Sequence, residues 1–524
     1  MKLVTVAEMR SAEQRVIAAG TTNEMLMERA GGAIAEALVA WLPRTEARRL
    51  LVLVGKGNNG GDALIAARHL QHRYGMRPWL YLIAARAGDP LLRFAAETGV
   101  EVVTHSGDSH PKLREWLSEA DVVLEGVLGI GQRLPLAGAV AEVMAICRDV
   151  RPPGQRRISV DVPTGVEADT GQVDKCAFAA HLTLATGPAK PGLLIHPGGE
   201  YAGRVKSLDI GLSHAVAEDG IARLTAAEVA SLLPPRPDDS HKGTYGKLLV
   251  VAGSARYVGA ASLTAAAAIR SGAGLVTLAA PAHVRDAISG RGPEITFLPL
   301  PDDPASPGNL TPGHLGQLLD AVSGTVYTAI AIGPGLGAAP ETRKLVTLLT
   351  GRLGRVEEAP RLVIDADGLN ALSDGGEWTR PRDARWVLTP HPGEMGRLSG
   401  VDAKSVQADR LGLAGQKARE WGQIVVLKGA PAVIASPDGR IRLNAFANAA
   451  LATAGTGDVL TGVIAGLLAQ GMAPFEAACA GSYVHTLAGE LWRAAHGTAG
   501  LPASALAEQL PRAMDRIRST HSGQ

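Results

Sequence analysis

Short apolar runs alternate with amphipathic helical segments along the chain, which predicts parallel sheets covered by helices. In the first part, the strand-like runs are RLLVLVG, RPWLYLIA, DVVLEGV, RRISVDVP and HLTLATG. The segment ALIAARHLQHRYG, between the first two runs, has the apolar spacing of a helix. Periodicity is lost around residues 211–222, where small polar residues predominate. The pattern therefore predicts a domain boundary at this point.

A second series of apolar runs follows the proline-rich segment LLPPRPDDSHKG. Its predicted strands are GKLLVVAGS, AGLVTLAAP, YTAIAIGPG, RLVIDADG, RWVLTPH and QIVVLKGAPAVIA. The run VLTGVIAGLLAQG predicts a helix that is too short to span a bilayer. Its pair Gly462 and Gly466 favours close helix packing in a core. We therefore expect a second, independent α/β domain.

Composition and charge narrow the class of protein. The 524 residues exceed a single ordinary core, and 46% hydrophobic with 20% charged residues is typical of a soluble globular protein. A net charge of +1 favours neither nucleic acid nor an anionic membrane as a partner. The cysteines lie far apart without a CxxC pair, which predicts reduced, buried thiols in a cytoplasmic protein; they are Cys147, Cys176 and Cys479. The N-terminus lacks the apolar region of a signal peptide.

The segment Ala454–Asp458 (AGTGD) lies directly before the run VLTGVIAGLLAQG and predicts an anion site. Glycines at a helix start let backbone N–H groups turn toward a bound anion. Asp458 falls in the first predicted turn, so its carboxylate faces the same space. A carboxylate beside phosphate indicates proton or metal chemistry on a hydroxyl. The alternative is a glycine loop with a helix-capping aspartate.

In the first part, Gly55–Asp62 (GKGNNGGD) stands between a strand and a helix, the order that binds a pyrophosphate. The next strand-like run lacks the acidic residue that would bind a ribose 2′-hydroxyl, which disfavours an ordinary NAD dehydrogenase. Asn58 and Asn59 offer neutral amide oxygens suited to a monovalent cation. Alternatively, both asparagines only adopt turn conformations.

Two further segments of the first part follow predicted strands. Asp161, in DVPTGV, is a candidate acid/base because the carboxyl ends of parallel strands face the ligand crevice. A loop-capping role before Pro163 is the alternative. Gly129–Arg133 forms another glycine turn, in which Arg133 is either a phosphate-binding cation or a solvated surface charge.

In the second part, polar and glycine-rich segments also collect beside successive strands, which predicts a crevice along one sheet edge. They are HKGTYG, GPGLG, DADG, TPHPGE and LKGA. Individually, His391 could be a hydrogen-bonded structural histidine and Lys428 a solvated charge. The aspartates of DADG, Asp365 and Asp367, could cap turns.

GKGNNGGD, VLGIGQR and DVPTGV, in this order, resemble the N-terminal YjeF domain of the NAD(P)H-hydrate epimerase family over about residues 1–215. The resemblance implies a Rossmann-like three-layer α/β/α fold with Asp161 as acid/base. It implies potassium bound by Asn59, Glu125 and Thr164, although the family usually has aspartate at position 125. The implied contacts to the hydrated dinucleotide are Asn58, Asn59, Gly60, Gly61, Asp62, Gly129, Ile130, Gly131, Gln132, Arg133, Leu134, Pro135 and Asp161.

HKGTYG, GPGLG, DADGLN, TPHPGE, LKGA and GTGD together resemble the ribokinase-like ADP/ATP-dependent NAD(P)H-hydrate dehydratase family over about residues 222–519. The implied adenine-nucleotide contacts are Lys428, Gly429, Ala430, Pro431, Ala432 and Gly457. The implied contacts to the hydrate are Ala260, Gly335, His391 and Asp458.

The tandem resembles bifunctional NAD(P)H-hydrate repair enzymes. This implies an isomerase and lyase that epimerises the R and S hydrates (NADHX and NADPHX) and dehydrates the S form. Potassium would serve the first domain, and ADP with Mg²⁺ the second; we also expect a homo-oligomer. Two alternatives remain open. The second domain could be a hydroxymethylpyrimidine- or sugar-type kinase, and the first a non-catalytic nucleotide-binding module.

Overall fold

The computed structural model describes residues 1–42, 49–216, 220–290, 292–356, 359–375, 378, 386–444 and 446–522. The chain divides into two compact units, Lys2–Ile221 and Ala222–Gln524, with Met1 assigned to the latter. We call them the first and second units. Each contains a mainly parallel sheet with helices, so the expected class of two α/β domains is confirmed.

The first unit has seven parallel strands in the order β3-β2-β1-β4-β5-β6-β7. These are β1 (Arg49–Val54), β2 (Arg77–Leu82), β3 (Val102–Thr104), β4 (Val122–Gly126), β5 (Arg156–Val160), β6 (Leu182–Thr186) and β7 (Arg204–Leu208). Its helices are α1 (Val6–Ala18), α2 (Asn23–Trp41), α3 (Asn58–Tyr74), α4 (Arg93–Thr98), α5 (His110–Glu119), α6 (Gly138–Asp149) and α7 (Gly198–Ala202). The strand order reverses between β1 and β4, the position at which such sheets bind ligands.

Alternate side chains of β1 enter different cores, which gives the first unit its three layers. Leu50 and Val52 pack in a cluster with Ile34 of α2 and residues of α3. Leu51 and Leu53, on the opposite face, pack in a cluster that includes residues of α5 and α6. The Rossmann-like α/β/α arrangement is therefore confirmed.

The second unit contains a ten-stranded sheet in the order β11-β10-β9-β12-β13-β14-β15-β16-β17-β8. Its strands are β8 (Ile221–Arg223), β9 (Lys247–Val251), β10 (Leu275–Pro281), β11 (Thr296–Leu300), β12 (Ala329–Ile332), β13 (Arg361–Ile364), β14 (Trp386–Leu388), β15 (Ile424–Leu427), β16 (Val433–Ala435) and β17 (Ile441–Leu443). Strands β9 to β15 pair in parallel, whereas β16 is antiparallel to both β15 and β17. The reversal of order here lies between β9 and β12.

The helices of the second unit surround this sheet. They are α8 (Ala226–Leu232), α9 (Val258–Arg270), α10 (Ala282–Ile288), α11 (Leu315–Gly324), α12 (Pro340–Leu353), α13 (Asp367–Ser373), α14 (Pro392–Ser399), α15 (Ala403–Ala408), α16 (Arg410–Trp421), α17 (Thr456–Ala469), α18 (Pro474–His496) and α19 (Ala503–Ser522). Helix α17 is buried on nearly all sides.

Close contact between α9 and α17 explains the two glycines of the apolar run. A Cβ on Gly462 would overlap the carbonyl oxygen of Thr264, and one on Gly466 would overlap the Ser271 hydroxyl. The predicted role of this pair in core packing is confirmed.

Among the described residues, no helix is both long and apolar enough to cross a membrane. All three cysteines are buried, as predicted.

Candidate active sites

The first candidate site begins where β1 leads into α3, beside the reversal of strand order. Helix α3 begins at Asn58, so Asn58–Asp62 form its first turns rather than a loop ahead of it. The alternative that both asparagines adopt turn conformations is therefore wrong. A Cβ on Gly60 would overlap the carbonyl oxygen of Gly55, so glycine lets the helix start close to the strand end. The N–H groups of the first turn lack helical partners and are available to an anion. The predicted pyrophosphate contact stays a prediction.

Asn59 and Asp161 face one space next to Gly129. The Asn59 side-chain nitrogen donates hydrogen bonds to the carbonyl oxygens of Leu128, at 3.0 Å, and Val160, at 3.3 Å. A Cβ on Gly129 would lie 3.5 Å from both Asn59 Oδ1 and Asp161 Oδ2. Glycine at position 129 therefore leaves room in front of the Asp161 carboxylate.

Asp161 directly follows β5 and has a φ of 63°, a conformation rare for residues other than glycine and frequent at functional sites. Its Oδ1 accepts a hydrogen bond from Lys190 Nζ at 2.5 Å and from the Thr186 hydroxyl at 3.1 Å. The Lys190 side chain is fully buried. The Asp161 Oδ1 also accepts from Thr186 N at 3.3 Å, so the carboxylate caps the end of β6 rather than the turn before Pro163. The acid/base role of Asp161 stays a prediction.

Two more carboxyl groups lie near this ion pair. Burial, and then the negative charge of Asp161, raises the pKa of Asp62 well above its ordinary value. The same causes, in the same order, raise the pKa of Glu13. Lys190 partly offsets both effects. The site therefore collects three carboxyl groups around one buried ammonium group.

Lys190 and Glu13 were not found from the sequence. A signal existed for Lys190, because it stands in the segment that follows the predicted strand HLTLATG, and such positions face the crevice. Glu13 lies on α1 and carried no signal, since only the folded chain brings this helix to β5 and β6.

Glu125, in β4, is completely buried and accepts four hydrogen bonds. The donors are Thr164 Oγ1 (2.6 Å), Val127 N (2.7 Å), Ser159 Oγ (2.9 Å) and Thr164 N (3.2 Å). Burial raises the pKa of Glu125. The Thr164 hydroxyl also accepts a hydrogen bond from Leu128 N at 2.9 Å. The oxygen-rich surroundings fit a hard cation, although protein donors already contact both carboxylate oxygens. Potassium binding here stays a prediction.

The loop Gly129–Pro135 connects β4 to α6. Its Gln132 side chain donates to the Val166 carbonyl oxygen at 2.7 Å and accepts from Gly165 N at 2.6 Å. Gln132 thus ties this loop to the segment after Asp161. Arg133 is exposed, as a solvated charge would be. Any contact of this loop with a dinucleotide stays a prediction.

The second candidate site lies at the start of α17. The helix begins at Thr456 after Gly455, which has a φ of 91°, and Asp458 lies in its first turn as predicted. Gly455, not Asp458, is the cap residue, so the capping alternative is wrong. Burial, and then the charge of Asp365, raises the pKa of Asp458 to about 7. Asp458 is therefore a carboxyl group that exchanges a proton near neutral pH.

Lys428 projects toward the same helix start. Its Nζ donates to Asp365 Oδ1 at 2.6 Å, while the Thr461 hydroxyl donates to Asp365 Oδ2 at 2.6 Å. Burial lowers the pKa of Lys428 and Asp365 raises it, with a net upward shift. A Cβ on Gly457 would lie 3.5 Å from Lys428 Nζ. The alternative of a solvated lysine is therefore wrong, and an ammonium group adds to the anion site of α17.

The loop from Lys428 to Ala432 is held by the buried side chain of Arg410. Its Nη2 donates to the carbonyl oxygens of Leu427 (3.3 Å), Lys428 (3.2 Å) and Pro431 (3.0 Å). Burial lowers the pKa of Arg410 to about 10. A Cβ on Gly429 would overlap this guanidinium group. Arg410 therefore positions the predicted nucleotide loop, a role that the sequence did not reveal.

His391 has a structural role that the sequence analysis allowed. As the cap residue of α14, its Nδ1 accepts hydrogen bonds from Gly393 N at 3.0 Å and Glu394 N at 3.3 Å. Burial, followed by the charge of Lys428, lowers the pKa of His391. Half of the side chain is exposed, so its contact with a hydrate stays a prediction.

Ala260 and Gly335 adjoin at the start of α9. Gly335 has a φ of 64°, and a Cβ on it would lie 2.7 Å from the Ala260 Cβ. Asp367 contacts the same glycine-rich loop, since its Oδ2 accepts from Gly337 N at 2.8 Å. The turn-capping alternative thus describes Asp367, whereas Asp365 pairs with Lys428.

Behind α17, the buried side chain of His485 contacts the Thr456 carbonyl oxygen at 2.9 Å. The sequence analysis did not identify His485.

Both units place acidic, basic and N–H groups at the carboxyl ends of parallel strands, the arrangement of nucleotide-dependent α/β enzymes. Residues 23–192 match the family model of the YjeF-related protein N-terminus, and residues 248–512 match that of NAD(P)H-hydrate dehydratase. The bifunctional NAD(P)H-hydrate repair enzyme of Moorella thermoacetica is 39% identical, over 98% of this chain and 96% of the relative. The bifunctional NAD(P)H-hydrate repair enzyme of Thermofilum pendens is 38% identical, over 99% of this chain and 97% of the relative. This chain belongs to the family of bifunctional NAD(P)H-hydrate repair enzymes.

Among solved structures, the ADP/ATP-dependent NAD(P)H-hydrate dehydratase of Bacillus subtilis, co-crystallised with ATP and Mg²⁺, is 35% identical. It has a TM-score of 0.48 and covers 57% of this chain and 100% of its own.

Proposed function

We propose that the first unit interconverts the R and S hydrates of NADH and NADPH and that the second unit dehydrates the S form at the expense of ADP. The observation that carries this proposal is Asp458, a carboxyl group with a pKa of about 7 at the start of α17, beside the ammonium group of Lys428. A proton acceptor and an anion site at the same position suit phosphoryl transfer to an alcohol.

The hydroxyl at C6 of the hydrated ring is a poor leaving group, whereas a phosphate ester leaves readily. Lys428 and the first N–H groups of α17 hold the terminal phosphate of ADP. Asp458 takes the hydroxyl proton as the phosphoryl group is transferred, which releases AMP. The ring-nitrogen lone pair then assists loss of phosphate from C6, a proton leaves the neighbouring carbon, and NAD(P)H is restored. Magnesium bound with the nucleotide spreads the transferring charge.

In the first unit, opening and reclosing at C6 through a cationic intermediate requires only proton transfer. Asp161 is the acid/base, since its Oδ2 faces the space beside Gly129 while Lys190 holds Oδ1. Burial and the charge of Asp161 raise the pKa values of Asp62 and Glu13, which favours their protonated forms and makes them proton donors near the same space. Asn59, Glu125 and Thr164 would hold potassium, which supplies positive charge close to the dinucleotide.

The remaining parts of the proposal follow the family resemblance. The domains span residues 1–215 and 222–519. The residues expected from the resemblance to contact the hydrate and the nucleotide belong to this proposal. ADP is preferred to ATP, and the protein acts as a cytoplasmic homo-oligomer. The Arg410 contacts to the Lys428–Pro431 loop support a nucleotide site there, because a fixed loop presents its backbone groups in one arrangement.

An assay with the full chain tests the proposal. The protein is incubated with mixed R and S hydrates, ADP, Mg²⁺ and K⁺ while the absorbance of reduced nicotinamide is followed. We expect both isomers to be converted to NAD(P)H. A stable phosphorylated product without recovery of absorbance would support the kinase alternative. Recovery limited to the S isomer would support a non-catalytic first unit.

A further inference from the structure

We propose that the first unit binds a divalent transition-metal ion, with zinc as the best match, through His105, His110 and Glu142. These residues lie after β3, at the start of α5 and on α6, and these elements carry none of the residues of the epimerase proposal. One imidazole nitrogen from each histidine and one Glu142 oxygen all lie within 4.8 Å of one another.

The spacing of these atoms fits a metal ion better than direct hydrogen bonds. Glu142 Oε2 lies 3.4 Å from His105 Nε2 and 3.6 Å from His110 Nε2. Ligands of a tetrahedral zinc ion at about 2.1 Å are about 3.4 Å from one another. Hydrogen bonds between such atoms are shorter, about 2.7–2.9 Å when charge-assisted. An ion between the three side chains would therefore require little movement of them.

Tyr81 links His105 to Ser109. The Tyr81 hydroxyl lies 2.6 Å from Ser109 Oγ and 3.2 Å from His105 Nδ1, and the Ser109 hydroxyl lies 2.8 Å from the Ser106 carbonyl oxygen. When Ser109 donates to Ser106, Tyr81 donates to Ser109 and accepts from His105 Nδ1, which leaves the lone pair of His105 Nε2 facing Glu142. A histidine oriented through its other nitrogen is the usual arrangement of a metal ligand.

The two other groups also lack a competing partner. His110 Nε2 is shielded from solvent and has no hydrogen-bond partner among the described residues. No lysine or arginine in the described part of the chain pairs with Glu142, and Lys112 on α5 is paired with Glu101 and Glu115. The unpartnered His110 Nε2 and the Glu142 carboxylate are therefore both available to a cation.

The donor set selects the class of ion. Imidazole nitrogens suit zinc and its neighbours in the transition series, whereas Mg²⁺ and Ca²⁺ prefer oxygen ligands. Three protein ligands leave a fourth position for water, so the ion is expected to be exchangeable. Because Glu142 lies on the helix that follows the loop Gly129–Pro135, the ion would link this helix to α5.

The full-length protein, stripped with a chelator, is titrated with Zn²⁺ against a chromophoric competitor. We expect one more zinc equivalent in the wild type than in Glu142→Gln or His110→Gln. His72→Gln, at an exposed histidine of α3, is the matched control and should take up as much as the wild type. Excess Mg²⁺ should not compete. Co²⁺ should give the visible bands of a four-coordinate ion only with the wild type and the control.

Tyr81→Phe provides a second measurement that does not alter a ligand. It removes the acceptor that orients His105, so we expect unchanged stoichiometry with about 10–100-fold weaker zinc affinity. Equal zinc uptake by the wild type and Glu142→Gln, or no stoichiometric uptake at micromolar zinc, would overturn the proposal. In that case the three side chains are neighbours without a metal ion.

Discussion

Asp458 combines two properties at the start of one helix. Its pKa is about 7, raised first by burial and then by Asp365, and it lies beside an ammonium group and free N–H groups. Its basic form therefore predominates only above neutral pH. A carboxyl group with an ordinary pKa would remain ionised throughout this range but would be a weaker base.

Replacing Asp458 with asparagine should remove the proton acceptor and leave the anion site intact. We expect the dehydration rate to fall by about 10²–10⁴-fold with little change in ADP affinity. In the wild type, kcat/KM for dehydration should fall about tenfold per pH unit below pH 7, as Asp458 becomes protonated, and level off above it. Asp286→Asn, at an exposed aspartate of α10, is the matched control. Near-normal turnover by Asp458→Asn would exclude this residue as the base.

The ion pair of Lys190 and Asp161 makes a prediction about stability. Lys190→Met leaves a buried carboxylate without its cation, which should lower the free energy of unfolding by about 3–5 kcal/mol. The double variant Asp161→Asn with Lys190→Met should recover much of this loss but no epimerase activity. Urea denaturation of both variants measures the effect. Equal stability of Lys190→Met and the wild type would mean that the carboxylate finds another partner.

Residues that follow strands could be identified from the sequence, while residues that support them could not. Asp161, Asp458 and Lys428 each stand beside a glycine or a strand end, a local signal. Arg410 supports a loop 17–21 residues away in sequence, and His485 contacts Thr456 across 29 residues. Such pairings depend on the folded chain and leave no periodic pattern.

At the scale of elements, continuously apolar runs were found and most edge strands were missed. The five runs of the first unit correspond to β1, β2, β4, β5 and β6. The missed strands, β3 and β7, lie at the two sheet edges, and most of their residues are not buried. An edge strand contacts one neighbour only, so its sequence need not be continuously apolar. The missed β8 and β11 are likewise the two edge strands of the second sheet, and the missed β17 has only three residues.

The close contact between α9 and α17 predicts that one added methyl group at position 462 lowers the stability of the protein. Gly462→Ala would push a Cβ into the Thr264 carbonyl oxygen, and such overpacking should cost about 1–3 kcal/mol of stability. Gly351→Ala on α12, where a Cβ meets nothing within 4 Å, is the control and should stabilise by about 1 kcal/mol. The melting temperatures of both variants are compared with that of the wild type. An unchanged melting temperature for Gly462→Ala would show that α17 shifts to accommodate the methyl group without loss of stability.

At the scale of the whole molecule, each unit has its own site, so one activity should be removable without the other. Asp161→Asn should abolish conversion of the R to the S hydrate and leave dehydration of the S hydrate unchanged. With mixed hydrates and ADP, absorbance should therefore rise to a plateau set by the S fraction. Adding wild-type protein should then complete the rise. Loss of both activities would contradict independent sites and would indicate that the substitution disrupts the whole protein.

Because both sites are encoded in one continuous polypeptide, every translated copy supplies one of each. Changes in gene expression therefore cannot alter the ratio of the two catalysts, and only their turnover numbers can. If epimerisation is the slower step, the R hydrate accumulates in the cell, whereas slower dehydration leaves both isomers at their equilibrium ratio.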